Sequence, residues 1–416
     1  MTRPPHPGTR TVTRRTFLSR AGAAGALVVA GVRSLTSFGR DEQRIMLPFE
    51  NGERDLVAFP QKRPLIVLTS RPPQLETPFA VFNDGLITPN DAFFVRYHWS
   101  GLPLSIDPAA YRLRVGGAVE APLELSLDAL KRLADPVEIV AVNQCSGNSR
   151  GHFTPRVNGG QLSHGAMGNA RWTGAPLKKV LEKAGVKRAA VHVAFDGLDR
   201  PPAGDGPDFV KALDIEHALD GEVLLAWQMN GADLPFLNGY PLRLIVPGYY
   251  GTYWVKHLSN IEVLEKPFDG FWMTTAYRIP NNPCACVEPG SAPTATIPIG
   301  RFTVRSFITS LADGARVPAA RTTTVRGIAF DSGYGIAEVA FSSDDGRTWQ
   351  SARLGRDLGR YSFREWTAPL TPPRKGPATL RVRAVNRVGQ SQPITPLWNP
   401  AGYMRNVVET VRVDAV

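Results

Sequence analysis

Only three cysteines occur in 416 residues: Cys145, Cys284 and Cys286. No CxxC, CxxCH or HExxH pattern is present, so iron–sulfur, c-type haem and zinc-protease sites have no signature here. The glycine patterns GxGxxG and GxxxxGK[ST] are missing too, which removes the usual dinucleotide and P-loop phosphate cradles. No apolar run reaches the ~18–20 residues that cross a bilayer, which excludes a helical membrane span. Acidic residues are absent from residues 1–40, which hold seven arginines. Taking those seven from a net charge of +11 leaves +4 for the remaining 376 residues, with no dense basic block beyond. A nucleic-acid partner is therefore not expected.

What is there begins with an address. Thr13-Arg14-Arg15-Thr16-Phe17-Leu18 precedes a mildly apolar stretch from Ala21 to Val32. A basic segment followed by about 7–15 apolar residues is an export signal, and the paired arginines point to the twin-arginine route. Periplasmic residence and a signal with linker over residues 1–40 are expected. The 39 glycines and 36 prolines follow no Gly-X-Y period, and 43% hydrophobic residues suffice for real cores in more than one domain.

Residues 41–286 mix helix and strand signals without regular βαβ alternation, an α+β pattern. Strands are expected at Val137–Val142, Ala189–Phe195, Glu222–Trp227 and Leu242–Val246. A helix is expected from Ala175, ended by Gly185, with Leu177, Val180 and Leu181 on one face. Residues 287–300 read as a Pro/Ser/Thr/Gly linker. After it come short alternating strands, Thr323–Phe330, Ile336–Ser342, Tyr361–Trp366 and Thr379–Val385, expected to form a β-sandwich over 301–416. The stretch Ser343–Trp349 resembles an Asp-box turn of secreted binding proteins. A plain hairpin around Asp345-Gly346, with Trp349 in the core, also accounts for it.

Two segments carry chemistry. An apolar strand runs into Asn143-Gln144-Cys145-Ser146-Gly147-Asn148-Ser149-Arg150. A cysteine at that mouth is a nucleophile, a soft-metal ligand or an inert buried thiol, and Arg150 favours its ionised form. A Cys–His hydrolase with His152 or His164 as base lacks any supporting local pattern. The second segment, Phe94-Val95-Arg96-Tyr97-His98-Trp99, adds another guanidinium and an imidazole. Arg96, Arg150 and His98 facing one pocket would bind a small oxyanion through charge-assisted hydrogen bonds. Cys284 and Cys286, one residue apart, are too close for an ordinary bridge to each other.

Taken together, FFVRYHW (93–99), NQCSGNSRG (143–151), ARWTGAPL (170–177), FDGLD (195–199) and LLAWQMNG (224–231) resemble the sulfite oxidase family of molybdopterin enzymes. So do GYPLRLIVPGYYGTYWVKHL (239–258), the Tyr277 region and PLWNPAG (396–402). The resemblance is strongest to the catalytic subunits of exported bacterial sulfite dehydrogenases. It implies a sulfite-oxidase-like molybdopterin domain followed by an immunoglobulin-like dimerisation domain. It also implies a molybdenum-molybdopterin cofactor, sulfite as substrate and a c-type cytochrome as acceptor, with a homodimer or a heterodimer as the assembly. Cys145 then matches the thiolate ligand of the metal. Arg96, His98, Arg150 and Tyr277 match the substrate pocket, and Asp199, Arg243 and Lys256 match positions that hold the pterin and its phosphate. Phe94 and Trp172 would shape the cofactor's surroundings. There are departures: Asn238 stands where vertebrate members carry a histidine, and Ala401 where they carry a third pocket arginine. The vertebrate haem domain has no counterpart in these residues, hence the separate acceptor. A sulfane dehydrogenase of the thiosulfate-oxidising pathway shares the fold and is the alternative enzyme. A related methionine sulfoxide reductase would lack the sandwich. A non-enzymatic secreted binding protein is the alternative outside the enzymes.

Overall fold

Why the site forms where it does follows from three strand systems, seen in a computed structural model. The structure describes residues 61–416 together with Phe59 and the backbone of two short strands, 44–46 and 53–57. The twin-arginine segment lies outside the described residues. Among those described, no helix is long and apolar enough to cross a membrane.

The first sheet orders 44–46, 53–57, Leu65–Ser70, Pro73–Glu76 and Val95–Arg96, so its edge strand carries Arg96. The second joins Lys211–Asp214, His192–Asp196, Asn260–Leu264, Leu113–Gly117 and Leu123–Leu125, with one parallel pairing between Asn260–Leu264 and Leu113–Gly117. The third is the long antiparallel ladder Val137–Gln144 on Met167–Pro176 on Leu224–Met229, with Arg243–Ile245 on its far side. The helix Leu177–Ala184 starts two residues later than its pattern suggested, because Ala175 and Pro176 complete the ladder. Leu177, Val180 and Leu181 are buried as expected, and Gly185 ends the helix at φ 72°. Left-handed backbone of this kind costs glycine nothing.

The C-terminal region is a sandwich of two antiparallel-dominated sheets. One orders Arg305–Ile308, Thr323–Phe330, Arg364–Leu370 and Arg353–Leu354. The other orders Ala315–Val317, Glu409–Ala415, Gly376–Asn386, Ile336–Ser342 and Gln350–Ser351. Its own core packs Val325, Val339, Phe341, Trp366, Leu380 and Val382. The molecule is thus α+β with an immunoglobulin-like sandwich, mostly strand.

Several expectations shift. The strand read at Tyr361–Trp366 runs instead over Arg364–Leu370. The tertiary reason is that Tyr361 and Ser362 serve the catalytic side: the Tyr361 carbonyl accepts from Val142 N at 2.9 Å, and Ser362 Oγ accepts from Asn169 Nδ2 at 2.9 Å. Trp349, expected in the core, is half-buried beside the Gly346 turn, and Trp366 takes the core place. The turn is held by the Asp344 carboxylate, which accepts from Thr348 N and Oγ1 at 2.9 and 2.7 Å. Within 287–300, Thr296–Pro298 pairs with Arg278–Pro280, and Ile299 is buried in the larger core. The spacing rule fails at Cys284 and Cys286, which are bonded to each other across Cα atoms 5.1 Å apart. Ala285 makes this feasible by adopting φ 49°, curling the backbone so that both side chains meet on one side.

Candidate active site

The ladder Val137–Gln144 ends pointing into a cleft of about 480 Å³. Cys145, the next residue, lines that cleft; its thiol is unbonded and the residue is buried. Around it stand Phe94, Arg96 and His98 from the first sheet's edge, and Asn238, Arg243, Lys256 and Tyr277 from the segments that follow the ladder. Eight of the eleven residues matched to the site from the sequence therefore share one cavity. Arg150 and Asp199 sit just behind its wall, both buried.

Positive charge dominates. Arg96, Arg150, Arg243 and Lys256 each direct their donors to backbone carbonyls rather than to carboxylates among the described residues. Lys256 Nζ donates to Arg96 O at 2.8 Å, Arg243 Nη1 to Asn238 O at 3.0 Å, Arg150 Nε to Ala401 O at 3.2 Å, and Arg96 Nη1 to Tyr97 O. Burial pulls the Lys256 ammonium down to about 7, and the nearby Arg243 adds to the effect. Burial likewise lowers Arg243 to about 10. Buried charge without a partner is unfavourable and becomes sensible when an anion arrives. Asp199 offsets part of this; burial raises its pKa, and Lys256 works against that rise.

His98 is hydrogen-bonded through Nε2 to Tyr277 Oη and stacks on Phe209 at 3.9 Å between ring centroids. Burial, reinforced by Arg96 and Lys256, holds its pKa well below the usual histidine range, so the imidazole is neutral. Burial raises the Tyr277 phenol, which stays protonated. The pair is a neutral hydrogen-bonding unit amid fixed positive charge. Tyr277 itself sits at φ 58°, a conformation a bulky residue adopts only when its surroundings dictate it.

Sequence reasoning missed four contributors. Tyr403 stacks on Tyr277 (5.4 Å, 9° between planes) and lies under the Arg150 guanidinium at 5.0 Å. Its neighbour Ala401, noted for lacking an arginine side chain, contributes its carbonyl instead. Lys62 reaches in from the segment just before Leu65–Ser70 and donates to Asn90 O, Phe93 O and Asn238 Oδ1 at 2.6, 2.9 and 2.5 Å. Asn238 Nδ2 passes a hydrogen bond on to Phe94 O at 3.1 Å, so both ends of the amide are used. Lys211, fully buried, donates to Trp272 O at 2.6 Å and lies 5.4 Å from the Tyr277 ring; burial lowers it to about 7. Trp272 closes over His98 at 4.8 Å. None of these has a local pattern; only Tyr403, two residues beyond Ala401, adjoined a segment already noted. Trp172 is core, fully buried with Nε1 donating to Ala141 O, yet it also carries the Arg243 guanidinium 5.3 Å from its ring.

The cavity fits a polyanionic, sulfur-liganded group. Both amide atoms of Asn143, Ser146 Oγ, Thr252 Oγ1 and Arg243 Nε are buried and lack a protein partner, and all four residues line the cleft. Buried polar atoms seldom stay unsatisfied, so together they define a ligand surface. The thiol of Cys145 faces the same space.

Comparison with known proteins agrees with this geometry. Residues 99–272 match the family model described as "Oxidoreductase molybdopterin binding domain", and residues 297–415 match "Mo-co oxidoreductase dimerisation domain". Sulfite oxidase of Gallus gallus is 34% identical over 364 residues, covering 83% of this chain and 77% of that protein. Mitochondrial sulfite oxidase of Homo sapiens is 34% identical over 374 residues, covering 85% of this chain and 66% of that longer protein. The crystal structure of the sulfane dehydrogenase SoxCD from Paracoccus pantotrophus superposes with a TM-score of 0.71 at 24% identity, covering 95% of this chain and 93% of that one, a likeness of fold. The chain belongs to the sulfite oxidase family, whose cofactor is molybdenum-molybdopterin.

Proposed function

We propose that the chain oxidises sulfite to sulfate and passes the electrons singly to a c-type cytochrome in the periplasm, after twin-arginine export. The overall change is sulfite plus water to sulfate, two protons and two electrons. The observation that carries the proposal is the cavity's group of cations around a single free thiol, with no carboxylate on its lining. Bound, the molybdenum-pterin group supplies oxygen-atom transfer and takes up an electron pair.

The residues have separable tasks. Cys145 holds the metal as thiolate. Arg243, Lys256 and Asn238 hold the pterin and its phosphate, with Asp199 bracing Lys256 and with Asn143, Ser146 and Thr252 supplying hydrogen bonds. Arg96 and Arg150 draw the sulfite dianion in and offset its repulsion from an anionic centre. The neutral His98–Tyr277 pair orients the anion without adding a third full charge. Phe94, Phe209 and Trp272 keep water out, which strengthens every charge interaction inside. The sandwich, which matches a dimerisation-domain model, is where a second copy of the chain or a cytochrome subunit would dock.

The test is sulfite-dependent reduction of ferricyanide by molybdenum-loaded protein, with Cys145→Ser alongside. Turnover in the native protein and its near-complete loss in the variant are expected. No sulfite-dependent turnover at full molybdenum occupancy would overturn the proposal.

A further inference from the structure

Behind the cleft lies a second buried group of polar side chains, built across the contact between the catalytic region and the sandwich. Arg305, on the first strand of the sandwich, is fully buried. Its Nη2 donates to Ser149 Oγ and to Glu409 Oε1, both at 3.0 Å, and its Nη1 donates to Gln144 Oε1 at 3.4 Å. Glu409 begins another sandwich strand and also pairs with Arg405 at 3.5 Å. Ser149 Oγ is in turn hydrogen-bonded to His164 Nδ1 at 2.7 Å, and His164 stacks on His152 at 4.2 Å.

Gln144 immediately precedes Cys145, and Ser149 immediately precedes Arg150. The guanidinium therefore bridges both ends of the loop that carries the thiol and the pocket cation. Within the loop, Asn148 Nδ2 donates to the same Gln144 oxygen at 3.4 Å, which closes it on itself. Ser149 stands at φ 69°, a left-handed conformation that a serine holds only if its contacts enforce it. It is this turn that sends Arg150 back over the Tyr403 ring and onto Ala401 O.

We infer that Arg305, fixed by Glu409, is a positioning residue for the Cys145–Arg150 loop, so that thiol geometry and anion affinity are set from the sandwich. The sandwich is then part of the site's construction as well as a surface for assembly. This rests on the proposed site only in taking Cys145 and Arg150 as its working residues; it does not depend on sulfite being the substrate. A buried ion pair used simply as glue would stabilise the domain contact without governing the loop.

The experiment uses Arg305→Met in the full chain, with Arg305→Lys as the conservative control. In cofactor-free protein, alkylation of Cys145 by iodoacetamide and amide hydrogen exchange over residues 146–151 should both quicken by ~10-fold or more, as expected for losing charge-assisted hydrogen bonds. In the loaded enzyme, KM for sulfite should rise while kcat falls less, and Arg305→Lys should recover part of each change. A folded Arg305→Met with a lowered melting temperature but native alkylation, exchange and KM would overturn the inference and leave only glue. Should Arg305→Met fail to fold, the paired Arg305→Gln/Glu409→Gln protein removes both charges together, and the same readouts decide. If alkylation and exchange change while sulfite turnover is absent in every form, the positioning role stands and the substrate proposal falls.

Discussion

Two buried groups of charge share the loop 144–150 but are balanced in opposite ways. On the sandwich side, Arg305 and Arg405 close around the carboxylate of Glu409. On the cleft side, Arg96, Arg150, Arg243 and Lys256 rest on carbonyl oxygens, and Lys62 and Lys211 do the same nearby. The first group has its carboxylate within the chain, although Nε of each arginine is left without a partner. The second is a set of cations for which the chain supplies only partial counter-charge, Asp199 near Lys256 and Asp91 near Lys62. A buried charge costs several kcal/mol unless it is met, so the imbalance is itself a statement about the ligand: anionic, and bound deeply enough to touch most of these groups.

The contrast is broken hardest by removing one residue from each side. Glu409→Ala should strand Arg305 and Arg405 and destabilise the cofactor-free protein by ~3–5 kcal/mol in denaturant melts. Lys256→Met should cost much less of that stability, because Asp199 offsets the ammonium only in part, yet lower molybdenum per chain, measured on purified protein, by more than ~10-fold. Equal destabilisation by both would mean that the two groups do not differ as described. A milder intervention stays within the cleft. Arg96→Gln or Arg150→Gln should raise KM for sulfite by roughly 10-fold, the worth of a charge-assisted hydrogen bond, and flatten its dependence on ionic strength.

A further contrast lies in pH. Lys62, Lys211 and Lys256 are each lowered by burial from 10.5 to about 7 in the folded protein. Between those values the unfolded chain holds protons that the folded one lacks, so stability of the cofactor-free protein should rise with pH across about 7 to 10.5 and be flat below. Each lysine adds up to ~1.4 kcal/mol per pH unit. Lys211→Met should remove one share of that slope, as followed by denaturant midpoints at several pH values. A slope unaffected by the substitution would place the lysine's ionisation elsewhere.

What could be read from the sequence divides along the same line. Cys145, Arg96, His98, Arg150 and Lys256 lie in contiguous segments with distinctive neighbours, and the cleft gathers all but Arg150 on its surface. The strands Thr323–Phe330 and Ile336–Ser342 were legible to the residue, because each is a short run rich in β-branched and apolar residues between turn signals. Partners joined over long separations were not: Arg305 with Ser149, Lys62 with Asn238 and Tyr403 with Tyr277 carry no local signature. The strand at Arg364–Leu370 was misplaced because Tyr361 and Ser362 answer to the catalytic region rather than to their own sheet. The Cys284–Cys286 bond was missed because a spacing rule says nothing of a left-handed residue between them.

The hydrogen bond from Arg150 to Ala401 joins residues 251 positions apart in the chain. During synthesis, a ribosome that has just released the Cys145 loop still has the whole sandwich to make. The thiol and its neighbouring guanidinium emerge early, without Arg305, Tyr403 or Glu409 to hold them. On the inferred role of Arg305, the loop takes its final geometry only after the sandwich has been made, although every residue lining the cavity precedes it in the chain. Truncation between residues 277 and 409 would leave a chain that contains every proposed ligand but lacks Glu409, which fixes Arg305 against the Cys145–Arg150 loop.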